Sequence, residues 1–247
     1  MLFNQTWFKG ALCAFTLALS GACVAQQDTP PNQSRSPLPV LHAAYAHLYE
    51  GALKQYAITQ GFDEPHEMAG TVAHELIHVA QAHKGGFYMP DPDGESVENF
   101  QHAFVGPYIT SPIWGSYTLP TNEQVMNLIR PPGPMDQFIP RNYGNQTPGN
   151  TLLNIVDEIN AYRLTAPWIC ERAEIRCAKQ VRNLEGHLEM AAWHLYFLRT
   201  RDPSQGVKLA QSEEGAFLFE VIGLGIQALK SINGSAPLME REGSLWR

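Results

Sequence analysis

Three residues have the types and spacing to do metal-assisted chemistry. His74, Glu75 and His78 form an H-E-x-x-H pattern. On a helix, positions i and i+4 lie one turn apart on the same face, so both imidazoles reach one metal ion. Glu75 sits about 100° around the helix from His74, beside that ion, where its carboxylate can take a proton from a water. Zinc suits such a site, because it accepts neutral imidazole and lowers the pKa of its water towards about 7. Chance produces the pattern in about 2% of chains of this length and composition. The neighbours Val72, Ala73, Leu76, Ile77, Val79 and Ala80 make the flanks apolar nearly all round, as in a buried helix. Two histidines and a glutamate are costly there unless something compensates them, and a metal does so. A helix of hydrogen-bonded core histidines is the plainer alternative.

At these residues the chain resembles the zincin group of zinc metallopeptidases. The resemblance implies peptide-bond hydrolysis with Glu75 as general base and Zn2+ as cofactor. The metzincin extension asks for a Gly three residues and a His six residues after His78, where Gln81 and Lys84 stand instead. His83, five residues after His78, points about 140° away on the same helix and belongs at the surface. The gluzincin pattern asks for a Glu on a later helix, often in a Glu-x-x-Ala/Ser setting, and Glu158 with Ala161 supplies it. The resemblance therefore implies His74, His78 and Glu158 as metal ligands, with Asp157 the rival for the third place. It covers residues 71–80 and 157–162 only. The interval from His78 to Glu158 is longer than in many gluzincins. Tyr162 stands four residues after Glu158, where some of them carry a histidine-orienting Asp.

Other candidates rank below these. His187 and His194 border the apolar stripe of a later helix, where they could lend a ligand or sit as core-edge histidines. Tyr88, Tyr108, Tyr117, Tyr143 and Tyr162 are all candidate oxyanion donors, since the transition state of such a hydrolysis needs a second electrophile. Tyr162 shares a helical face with Glu158 and is preferred. The acidic run of Asp91, Asp93 and Glu95 lacks the spacing of an EF-hand loop and reads as a solvated turn.

Residues 1–25 read as a signal peptide. Lys9 is followed by an apolar run from Ala11 to Leu19 and then by small residues up to Ala25. The run is too short to span a bilayer and ends in a small-x-small cleavage signal. The segment Leu19 to Cys23 also resembles a bacterial lipobox, with Leu four residues before the Cys where that family prefers three. Lipid anchoring at Cys23 is thus the alternative to simple export. No later stretch approaches about 20 apolar residues, so no transmembrane helix is expected in the mature chain. The expected location is secreted or periplasmic. In an oxidising compartment the remaining pair, Cys170 and Cys177, is expected to form a disulfide rather than stay reduced and buried. On one straight helix their Cα atoms would lie roughly 10 Å apart, beyond a disulfide's reach, so the segment must bend. Pro167 is expected to end the preceding helix.

The elements that must position these groups are mostly helical. Residues 26–37 are polar and Pro-rich and read as a disordered linker. Helices are expected over residues 41–59, 63–85, 151–165, 179–199 and 207–232. Between residues 90 and 148 lie 10 of the 18 prolines. There the Thr121 to Gln124 capping box announces only a short helix from Val125 to Arg130. Residues 103–108 and 115–119 are candidate short strands. So long a loop-rich stretch inside a domain is usually functional or covers a site. The expected fold class is mainly α, with α+β as the alternative: residues 38–247 are expected to form one helical domain with an H-E-x-x-H helix and an irregular, aromatic-rich insertion, which the resemblance implies is a metallopeptidase domain.

Composition limits the partners. A formal charge of −7 with no cluster of Lys and Arg argues against nucleic acid. The expected partner is a peptide or protein substrate, and the expected function is that of an exported zinc-dependent metallopeptidase. The alternative is a non-catalytic envelope protein with a structural or vestigial metal site that binds a partner through its aromatic loops.

Overall fold

The computed structural model describes residues 37–48, 65–128, 144, 146–172 and 174–233, all within the compact unit Pro31–Arg247. The expected signal peptide, Cys23 and the linker up to residue 36 lie outside the described residues. Among those residues there are seven α-helices and a single two-stranded antiparallel ribbon. The fold is mainly α.

The first helix, α1 (Pro39–Tyr45), continues as a 3-10 turn over Ala46–Leu48. The expected helix over 41–59 therefore begins two residues early, and its second half lies outside the described residues. Pro39 opens α1 with φ preset, but no side chain at the N-cap serves its free amides. Glu95 does so from the insertion, accepting the Val40 N–H at 2.6 Å and the Leu41 N–H at 3.2 Å. It also takes a very short hydrogen bond from the Tyr88 hydroxyl. Glu95 is thus a half-buried cap, not part of a solvated turn, whereas Asp91 and Asp93 are exposed as expected.

The H-E-x-x-H helix is α2 (Pro65–Lys84). It stops where the sequence predicts, because Gly85 adopts φ +73, a conformation costly for any residue with a Cβ. Strand β1 (Phe87–Tyr88) follows and pairs with β2 (Phe104–Val105), Phe87 opposite Val105 and Tyr88 opposite Phe104. Residues 115–119 are not a strand: Pro112–Ser116 coils into a 3-10 helix started by the proline. The capping box forms around α3 (Asn122–Leu128). The Thr121 N–H donates to Gln124 Oε1 at 2.9 Å, and the Gln124 N–H donates to Thr121 Oγ1 at 3.3 Å.

The centre of the fold is α4 (Leu152–Arg172), which packs against α2, against α5 (Glu174–Arg201) and against α7 (Glu213–Asn233). Pro167 does not end α4. It removes one backbone hydrogen bond, and packing along three neighbouring helices outweighs that loss. The chain turns only after Arg172, and Cys170 and Cys177 close the α4–α5 hairpin as a disulfide with Cα atoms 4.4 Å apart. The expected helix over 207–232 is two helices. Asp202 caps α6 (Pro203–Ala210), and Ser212 then interrupts the chain, donating to the Leu209 carbonyl and accepting the Gly215 N–H at the start of α7. By length and composition α7 is apolar enough to cross a membrane, contrary to the expectation that no such stretch exists. In the fold its Leu218, Val221, Ile222 and Leu229 pack into the core with Ile155, Ile159, Leu184 and Leu188.

A second core joins α1 and α2 to α4. Leu41, Tyr45, Val72, Leu76, Ile77 and Tyr88 surround Ala161 of α4. Gly70 lets the helices approach, since a Cβ there would lie 2.4 Å from the Ile169 side chain. This close crossing carries the two histidines onto the face of α4.

The disulfide closes a short loop, so its removal costs about 2 kcal/mol by loop-closure entropy. A Cys170→Ser/Cys177→Ser variant should lose that much in denaturant unfolding, and an unchanged midpoint would show that packing alone holds the hairpin.

Candidate functional site

The crossing of α2 and α4 brings His74, His78 and Glu158 together, with one ligand atom from each lying within 4.8 Å of the others. The Nε2 atoms of His74 and His78 are 3.2 Å apart. Glu158 Oε2 lies 3.4 Å from His74 Nε2 and 3.8 Å from His78 Nε2. Donor atoms about 2.05 Å from a tetrahedral ion are separated by about 3.3 Å, so the three are spaced to share one ion. Both histidines are buried. At this distance the two Nε2 atoms share either a proton, as an N–H···N hydrogen bond, or a cation held between them.

Asp157 is not part of the trio. Neighbouring residues on a helix point about 100° apart, so α4 sends Glu158 to one side of the His78 ring and Asp157 to the other. Asp157 Oδ2 accepts from His78 Nδ1 at 2.9 Å and from the Tyr108 hydroxyl at 3.0 Å, and Oδ1 accepts from Gln81 Nε2 at 2.5 Å. With Nδ1 donating to a carboxylate, a neutral His78 ring has its Nε2 lone pair aimed at Glu158 and His74.

The charges are strongly biased towards a cation. Burial opposes a charged His78, but the carboxylates of Asp157, Glu158 and Glu75 outweigh it and raise its pKa to about 10. Burial likewise pushes Glu158 up, yet the His74 hydrogen bond and the fields of His78 and His187 pull it well below the ordinary carboxylate range. Glu75 is half-buried beside His78, and among the described residues no hydrogen bond holds its carboxylate.

The remaining candidates separate clearly. Tyr162 lays its ring against His74, with centroids 4.4 Å apart, and stacks on His187 at 5.4 Å. Its hydroxyl accepts from Asn183 Nδ2 at 2.7 Å. His187 is buried beside the trio with Nδ1 on the Asn183 carbonyl at 2.7 Å, and burial lowers its pKa. It lies outside the metal-binding group. Tyr88 is committed to Glu95, Tyr117 donates to Glu214 at 3.0 Å, and Tyr143 lies outside the described residues. His83 is exposed, as expected, with its Nδ1 3.4 Å from the Tyr45 hydroxyl. His194 is a core histidine bonded to Asn122 Oδ1 at 2.8 Å, holding α5 to the start of α3.

Sequence reasoning missed the polar layer behind His78. Gln81 is fully buried and accepts the Tyr88 N–H at 2.9 Å and Asn160 Nδ2 at 2.5 Å while holding Asp157. Asn160 in turn holds the Tyr88 carbonyl and accepts from Arg163 Nε. Burial lowers the pKa of Arg163 to about 10, opposed by Glu220. One signal was available: Gln81 is seven residues after His74, hence on the face of α2 that carries both histidines.

Comparison with protein-family models, with curated protein sequences and with solved structures returns no match. The chemistry of the site therefore rests on its own geometry.

Away from the trio, burial pushes the His194 pKa down to about 3 from an unfolded value of 6.5. The unfolded chain binds this proton first on acidification, so the stability contributed by neutral His194 is whole above pH 6.5 and falls by up to about 1.4 kcal/mol per unit below it. In denaturant titrations at pH 7 and pH 5, the stability gap between the wild type and His194→Gln should narrow on acidification. A gap that stays constant would contradict the assignment.

Proposed function

We propose that this chain is an exported zinc-dependent peptidase of the gluzincin-like type. The observation that carries the proposal is the spacing of 3.2 to 3.8 Å among His74 Nε2, His78 Nε2 and Glu158 Oε2, with Glu75 next in sequence to a ligand. Two neutral imidazoles and one carboxylate are a donor set suited to zinc, and three protein donors leave a tetrahedral ion one open position, as catalytic sites require. The disulfide and the signal-like N-terminal sequence support export.

A zinc ion held there would polarise a peptide carbonyl and bring the pKa of a water towards about 7. The chain's own residues do the rest. His74, His78 and Glu158 hold the ion in place. Asp157 keeps the His78 proton on Nδ1, so that Nε2 is always the ligand atom. Tyr162 fixes the plane of the His74 ring by packing against it. The Glu75 carboxylate takes the proton from the attacking water and delivers it to the departing amine nitrogen as the C–N bond breaks. In some members of the group that the chain resembles, a histidine-orienting Asp would stand at residue 162. Here Asp157, on the other side of the ligand, supplies that function.

Glu75→Gln preserves shape but removes the base. The variant should retain its metal while peptide-library cleavage falls by a factor of about 10² to 10⁴. Cleavage at the wild-type rate would refute the assignment of the base.

A further inference from the structure

Among the described residues, one hydroxyl of the long insertion between α2 and α4 reaches the Asp157 carboxylate. Tyr108 is 3% exposed and is held at three points. Its N–H donates to the Gly85 carbonyl at 3.0 Å, its carbonyl accepts from Trp114 Nε1 at 2.9 Å, and its ring packs edge-on against Phe87 at 5.5 Å. The hydroxyl is thereby fixed 3.0 Å from Asp157 Oδ2, the same oxygen that accepts from His78 Nδ1. An ionised carboxylate only accepts, so Tyr108 is the donor in this pair. Gln81 occupies the other oxygen, and the carboxylate cannot rotate without breaking a buried hydrogen bond.

We infer that Tyr108 is a positioning residue for the metal centre, through which the insertion fixes the orientation of His78. The inference deepens the proposed metal site and rests on it. Three rigid contacts hold the hydroxyl, the hydroxyl holds the carboxylate, and the carboxylate holds the ring whose Nε2 faces Glu158. Anything that shifts the insertion near Tyr108 and Trp114 would alter how well His78 binds an ion. Second partners of this kind commonly change metal affinity by 10- to 100-fold.

The test is Co2+ titration of the full chain, read as affinity and as the visible absorption of the bound ion. Tyr108→Phe keeps the packed ring and removes only the hydroxyl. It should bind Co2+ about tenfold more weakly, with a displaced visible band. Tyr117→Phe is the matched control, losing a hydroxyl bond to Glu214 in the same insertion, and it should titrate as the wild type does. Wild-type behaviour in Tyr108→Phe, or equal weakening in both variants, would overturn the inference and leave the metal site standing. A wild type that takes up no Co2+ would overturn the metal site and the inference together. If Tyr108→Phe does not fold, Asp157→Asn reads the same relay from its other end, and unchanged affinity there would equally refute it.

Discussion

Two imidazole nitrogens and a carboxylate oxygen held within 4 Å of one another cannot share that space as neutral, independent groups. The nitrogen lone pairs repel and the carboxylate carries a full charge, so the arrangement persists only around a cation, a proton or a metal ion. The charges of Asp157 and Glu75 increase the demand. Everything else about the site follows from satisfying it: the helix that presents the histidines, the helix that crosses it, and the polar layer that keeps the rings from turning.

Helix α4 meets most of that demand. By presenting Glu158 and Asp157 on either side of one imidazole, it supplies the carboxylate of the candidate metal-binding group and an orienting acceptor from adjacent positions. The close approach needed for this depends on small residues, Ala161 at the crossing and Gly70 further along, where a larger side chain would hold α2 away. The α4–α5 hairpin is tied by the Cys170–Cys177 disulfide, and α5 returns His187 to the neighbourhood of the trio. Rigid helices thus place each group, and the irregular insertion contributes a brace through Tyr108.

Much of this was legible in the sequence. H-E-x-x-H has a period that a helix turns directly into geometry, and Glu158 lay on a strongly patterned helical stretch. The capping box at Thr121 and the stop at Gly85 are local chemistry, decided within a few residues, and both formed as expected. What was not legible depends on contacts distant in sequence. Asp157 stood as the rival to Glu158 until the packing of α4 on α2 set which one faces Nε2. Glu95 looked like a solvated acid because the helix it caps lies more than fifty residues earlier. Pro167 reads as a helix end on local grounds, and only packing along α4 overrides it. Gln81 and Tyr108 carry no motif, since buried polar partners are recognised by what they meet in space.

The central claim is that His74, His78 and Glu158 bind one metal ion, and the most direct measurement is the metal content of the purified protein after dialysis without chelator. About one zinc per chain, lost on His74→Ala, is the expected result. A well-folded wild type free of metal, and unable to take up zinc when it is added, would contradict the account.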